Sequence, residues 1–177
     1  MAAPSLRDWA ESLGERGDLV VVDEPVSTEY ELAAYVKHSC SEAGPAFRFT
    51  DVEGHDMEVL AGLYGAKRRI LEAVGVESHA EGVEAVRELD EDEPVVVDDG
   101  PVREVIDDDP DLEALPVVRH SERDVGPYVT GATLVADLPH TGARGQGIHR
   151  MLRRGPRELT IWAPAERRIG YAYRVNG

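Results

Sequence analysis

The chain has one cysteine, Cys40, and two lysines, Lys37 and Lys67, in 177 residues. A single cysteine rules out an internal disulfide framework, and its place on an apolar helical stripe with Leu32, Ala33 and Val36 predicts a buried, unreactive thiol. No apolar run approaches the ~20 residues that a membrane-crossing helix requires. The N-terminal MAAPSLRDWAESLGERG has neither an apolar signal core nor an arginine-rich, acid-poor transit pattern. The expectation is a soluble, cytoplasmic protein with no membrane partner. The histidines, His38, His55, His79, His120, His140 and His149, show no H-E-x-x-H spacing, so a zinc site built by this chain alone is not expected. Walker A, G-x-G-x-x-G and G-x-S-x-G patterns are absent as well.

Acidic charge, by contrast, is abundant, and the formal net charge is −16. Self-repulsion of that size is relieved by salt screening, and an acidic surface poor in lysine points to a salt-adapted cytoplasm, with a halophilic archaeon as the expected source. It also excludes nucleic acid as a partner. The charge is unevenly spread. Residues 1–137 carry 33 acids and 11 basic side chains, whereas residues 138–177 carry eight arginines against Glu158 and Glu166. A cationic zone on an acidic chain, built of arginine, suits a phosphate or carboxylate; the alternative is internal pairing of those arginines with acidic side chains.

Ser5 and Asp8 form a capping-box pattern, and Leu6, Trp9, Ala10 and Leu13 follow with helical spacing. LVVVD at 19–23 reads as a strand. A second helix after Ser27 is stopped by Gly44 and Pro45. AFRFTDV and residues 57–61 read as strands about a turn at Gly54, and AKRRILEAVG as a helix with Gly75 at its C-terminal cap. Val83, Val86 and Leu89 mark a fourth helix. The acidic stretch that follows holds Val95, Val96 and Val97, then Asp98-Asp99-Gly100-Pro101, a turn rather than paired catalytic carboxylates. DDDPDLEAL reads as a solvated linker, which places a domain boundary near 107–116 and gives domains 1–112 and 113–177. Beyond it, 128–137, GIHRML and ELTIWA carry strand patterns, and Tyr171 and Tyr173 near the end are expected to be exposed. GARGQG at 142–147 is a loose glycine loop, open to two readings: a hairpin turn, or a cradle of backbone N–H groups for an anion with Arg150 after it.

SLRDWAESL, LVVVDEPV, GPAFRF, VEGHDMEVLAGLYGAKRRI, PVVVDDGPVREVI, DLEALPVVRH, DVGPYVTGATLVAD and GIHRM, in this order, resemble the UbiD family of decarboxylases over nearly the whole chain. The resemblance implies an α+β fold: an N-terminal mixed α/β domain, then the first strands of an incomplete split β-barrel of flavin-reductase type. It also implies reversible decarboxylation of a small unsaturated or aromatic acid with prenylated FMN, a divalent metal (manganese or magnesium) and potassium. The family pattern Asn-x-Gly/Ser-Ile-x-Arg falls on Gly145, Gln146, Gly147, Ile148, His149 and Arg150. By that resemblance Ile148, His149 and Arg150 contact the cofactor, and Arg150 is the catalytic candidate that holds the substrate carboxylate. Gly145 stands where the family has its metal-binding Asn and offers no side-chain oxygen, so Gln146 or a backbone carbonyl would have to substitute. No metal-binding side chain is therefore assigned in this chain.

Glu166, Arg167 and Arg168 fall where the family has further cofactor contacts. The family's glutamate ligand and acid/base carboxylates lie beyond the matched stretch. The I-H-R-M form resembles archaeal members that convert anhydromevalonate phosphate to isopentenyl phosphate and CO2 in isoprenoid biosynthesis. Three readings follow. The chain is a truncated carboxy-lyase inactive alone, one half of a split enzyme completed by another chain, or a non-catalytic flavin-binding or oligomerisation module. A homo-oligomer or a completing chain is the expected protein partner, because open strand edges and apolar faces demand cover.

Overall fold

The computed structural model describes residues 5–88, 95–138, 143–164 and 166–176. The architecture is mixed α+β with small sheets. The chain forms two compact units, one of Met1–Val26 with Ala34–Pro110 and the other of Ser27–Ala33 with Asp111–Gly177. Among the described residues no helix is long and apolar enough to cross a membrane.

The first unit begins with α1 (Leu6–Glu15). The Ser5 hydroxyl accepts from the Asp8 N–H and the Asp8 carboxylate from the Ser5 N–H, both at 3.2 Å. That reciprocal cap satisfies two otherwise unpaired helix-end donors. Trp9 and Leu13 are buried against Ala46 and Leu63, with Ala73 packed beside them. Ala46 opens β2 (Ala46–Phe49), the central strand of a sheet in which β1 (Leu19–Val22) is parallel to it and β3 (Val59–Ala61) antiparallel. The parallel pair needs a crossover, and α2 (Glu31–Ser41) lies in it. Tyr35 of α2 meets Phe47 and Phe49 edge-on at 5.6 and 5.5 Å, covering the other face of β2.

Cys40 is exposed, contrary to the buried thiol expected from its stripe. The helix buries Leu32, Ala33 and Ser39 instead. Ser39 follows Leu32 by two helical turns, and its hydroxyl donates to the Pro45 carbonyl, so a satisfied polar group takes the inner position. α3 (Lys67–Val74) ends at Gly75 with φ +79°, the left-handed cap its sequence predicts. Arg69 within it is fully buried and donates to the carbonyls of Leu63, Gly44 and Gly62 at 3.1, 2.7 and 3.0 Å. One guanidinium thus clasps two loops, although burial, with a contribution from the neighbouring Arg68, pulls its pKa below the ordinary value. α4 (His79–Arg87) is capped by Ser78 and buries none of its residues; Leu89 lies outside the described residues. Val95, Val96 and Val97 are exposed. Asp98 to Arg103 form a turn closed by a bond from the Arg103 guanidinium to the Asp98 carbonyl, and the stretch to Asp111 is exposed.

In the second unit β4 (Tyr128–Val129), β7 (Met151–Gly155) and β8 (Glu158–Ile161) make an antiparallel sheet in the order β4-β7-β8. β5 (Thr133–Leu138) and β6 (Ala143–Ile148) form a separate antiparallel pair, against which α5 (Arg168–Asn176) packs. Two expectations change here. The apolar pattern of 128–137 is broken at Thr130–Ala132 into β4 and β5, and the described part of GARGQG is strand rather than loop. Pairing with β5 along one edge supplies hydrogen bonds to the backbone groups on that side, which a glycine loop would have left free. RRIGYAYRVN, given no element above, is largely the helix α5. Ser27–Ala33 joins this unit through Arg119, whose N–H and carbonyl bond Thr28 and Tyr30 at 3.0 Å. The Arg119 guanidinium lies over the Tyr30 ring at 5.4 Å.

Candidate functional site

Strand alternation sorts the residues of β6 onto two faces. Arg144, Gln146 and Ile148 are exposed, whereas Gly145 is buried and Gly147 half-buried. The register places Asp137 opposite Arg144, Val135 opposite Gln146 and Thr133 opposite Ile148. Paired residues share a side, so the open face carries Arg144, Gln146, Ile148, Thr133, Val135 and Asp137. Ile148 is 77% exposed and Val135 53%, an apolar floor beside polar groups. The opposite face holds the two glycines with Leu134, Ala136 and Leu138, which are partly covered.

The three residues predicted for cofactor contact do not all lie together. Ile148 belongs to the open face. The His149 ring folds back across Gly147 on the glycine face: a Cβ added at Gly147 would come 3.1 Å from the His149 Nε2. Arg150 occupies the break between β6 and β7, exposed, with its Cζ 5.9 Å from the centroid of the Tyr128 ring. Tyr128 was not among the residues that sequence reasoning selected. The available signal was the pairing of GPYV with RML, which becomes readable once the strand break at Thr130 is known.

The arginines of the cationic zone have different employments. Arg144 pairs with Asp137 at 3.0 Å, both exposed, an interaction worth about 1 kcal/mol or less. Arg153 donates to the carbonyls of Leu112 and Leu115 at 3.2 and 3.4 Å. Arg150 has no carboxylate partner among the described residues, which leaves its donors available to an anion. Internal pairing therefore accounts for Arg144 and not for Arg150. Arg167 and Arg168 are exposed at the start of α5, where Gly170 is required by close approach: a Cβ there would collide with the Pro164 carbonyl.

The open face thus carries apolar Ile148 and Val135 beside polar side chains, and the exposed Arg150 follows it in the chain. A divalent cation is less well provided for. Gly145 has no side-chain oxygen and lies on the covered face, Gln146 is the one neutral oxygen donor of β6 on the open face, and no group of three His, Cys, Asp or Glu side chains gathers among the described residues. Space does not dictate the glycine: a Cβ at Gly145 would make ordinary contact with Leu138 at 3.5 Å.

The family model of the 3-octaprenyl-4-hydroxybenzoate carboxy-lyase N-terminal domain matches residues 10–89, and that of the Rift-related domain of the same enzyme matches residues 94–176. The anhydromevalonate phosphate decarboxylase of Methanosarcina mazei is 31% identical over 157 residues, covering 86% of this chain and 34% of that protein. The UbiD-class enzyme HmfF from Pelotomaculum thermopropionicum, solved in complex with FMN, superposes with a TM-score of 0.82 at 31% identity over 96% of this chain and 39% of that one. An evolved dimeric form of HmfF in complex with prFMN gives 0.81 at 32% identity, over 97% and 42%. The chain spans about a third of the length of the curated relatives it matches, as the 34% coverage shows.

Proposed function

The chain belongs to the UbiD family of carboxy-lyases, and from that premise we propose that it carries the cofactor-facing segment of a prenylated-FMN-dependent decarboxylase acting on a small unsaturated acid. The observation that carries the reading is Arg150, exposed beside the apolar Ile148 and without a carboxylate partner among the described residues. Arg150 binds the carboxylate of the substrate or an anionic group of the cofactor through paired N–H donors, and Ile148 supports the flavin ring. His149, on the glycine face, orders the strand end behind them. Prenylated FMN, when bound, supplies the electron sink for loss of CO2. The net change is a carboxylate and a proton going to CO2 and a C–H bond.

Anhydromevalonate phosphate is the proposed substrate, supported by the named relative and by the I-H-R-M form; its phosphate adds a second anion for the arginine-rich zone. β4 to β8 are read as strands of a split flavin-binding barrel, a cytoplasmic, salt-adapted setting suits the composition, and domains 1–112 and 113–177 remain the proposed division. A second reading, a flavin-binding half completed by another chain, draws on Trp162 and Tyr173, which are 80% and 77% exposed.

The test is the absorbance spectrum of the chain purified in high salt after co-expression with a flavin prenyltransferase and manganese. A flavin band that Arg150→Ala abolishes is the expected result. A colourless wild-type chain, or a band indifferent to Arg150→Ala, overturns the reading.

A further inference from the structure

Arg150 is held from below. Tyr128 pairs with Leu152 across β4 and β7, which makes Arg150 its diagonal neighbour, two residues from Leu152 and on the same side of the sheet. The tyrosine is itself anchored: its N–H donates to the Val118 carbonyl at 3.0 Å, and the Arg153 N–H donates to the adjoining Pro127 carbonyl at 3.0 Å. Gly126 lets this segment approach β7, because a Cβ there would come 3.0 Å from Leu152 Cδ1. The backbone that carries the ring is thus fixed on both sides. A guanidinium over an aromatic face is attracted by the ring quadrupole while its N–H donors, which lie in its own plane, remain free for an oxyanion.

We infer that Tyr128 is the positioning residue of Arg150, confining a long, solvent-exposed side chain to one orientation in which it can grip an anion. This rests on the reading of Arg150 as the anion-binding residue. The phenol hydroxyl has no part in it, so phenylalanine should serve as well as tyrosine. A residue without a ring should not, because an unrestrained arginine loses rotamer freedom on binding and its affinity falls.

The experiment follows the arginine Nε–H signals of the full chain by NMR, with the Arg150 signal assigned by its loss in Arg150→Ala. The wild-type chain and Tyr128→Phe are expected to show an ordered, ring-shifted Arg150 signal. Tyr128→Leu and Tyr128→Val are both made, so that one folded ring-less variant reaches measurement, and they should bring the signal to the position of the exposed arginines. An unchanged signal in a folded ring-less variant, or loss of the shift in Tyr128→Phe, overturns the inference. Titration with FMN, followed by flavin fluorescence, gives a second readout: the ring-less variants should bind about two- to fivefold more weakly and Tyr128→Phe like wild type. FMN binding that Arg150→Ala leaves untouched sinks the functional reading, while the free-chain signal still decides the positioning role.

Discussion

The first unit buries Trp9, Leu13, Ala46, Phe47, Phe49 and Leu63, with helix on both faces of its central strand. The second buries fewer large apolar side chains, Leu32, Met151 and Ile169 among them, and both leave others exposed, Val96, Val102 and Ile106 in the first and Ile148, Trp162 and Tyr173 in the second. The acidic side chains crowd the first unit, and more than half of the arginines lie in the second. A core and a ligand face make opposite demands on a sheet, since one needs both sides covered and the other needs a side left free. The division teaches where a packed sheet is concentrated and where a sheet face with arginine beside it is left uncovered.

The sharpest way to break the comparison is Arg69→Met. It leaves the carbonyls of Leu63 and Gly44 without the guanidinium donor, whereas that of Gly62 keeps the Gly65 N–H. At about 1–3 kcal/mol for each of the two unsatisfied groups, the loss should be at least ~2 kcal/mol, read by denaturant unfolding. A loss below ~1 kcal/mol would show that water or neighbouring donors replace the clasp. The counterpart in the second unit is Gly170→Ala, which must displace the 163–164 backbone from α5. An overpacking cost of about 1–3 kcal/mol is expected, with the α5 amides losing hydrogen-exchange protection while those of α1 keep theirs. Equal loss in both helices would mean that the units unfold as one.

The smallest effect is electrostatic. Arg68 donates to Asp18 and holds its carboxyl below the ordinary value of 3.8. A depressed folded pKa adds stability above the unfolded value, and that stability is lost as pH falls through the folded one. Asp18→Asn should therefore flatten the acid limb of stability below pH 3.8 and change neutral-pH stability only slightly, because Arg68 is half exposed. An acid limb identical to wild type would show that the pair contributes nothing.

Much of the first unit was legible because its signals are local. The Ser5–Asp8 cap, the LVVV strand, the Phe47–Phe49 alternation and the Gly75 cap each depend on a few adjacent residues. Cys40 was misread because helical spacing identifies a stripe but not how far it is rotated, and the Ser39 bond to Pro45 settles that rotation. In the second unit the strand existed where GARGQG looked like a loop, since glycine is excluded from strands by propensity and readmitted by a paired neighbour. The assignment of Ser27–Ala33 to that unit had no sequence signal, because it depends on Arg119 more than eighty positions away.

By itself the sequence determined the alternation of helices and strands in the first unit, the acidic and cationic division, and the family that GIHRM and its companion segments resemble. These are properties of neighbouring residues or of composition, and they survive without coordinates. The tertiary structure alone decided that Ile148 and His149 part onto two faces, that Arg144 is paired while Arg150 is not, and that Tyr128 lies beneath Arg150. Register decides such matters: a shift of one residue along a strand exchanges its faces, and register is set by contacts between strands rather than within one.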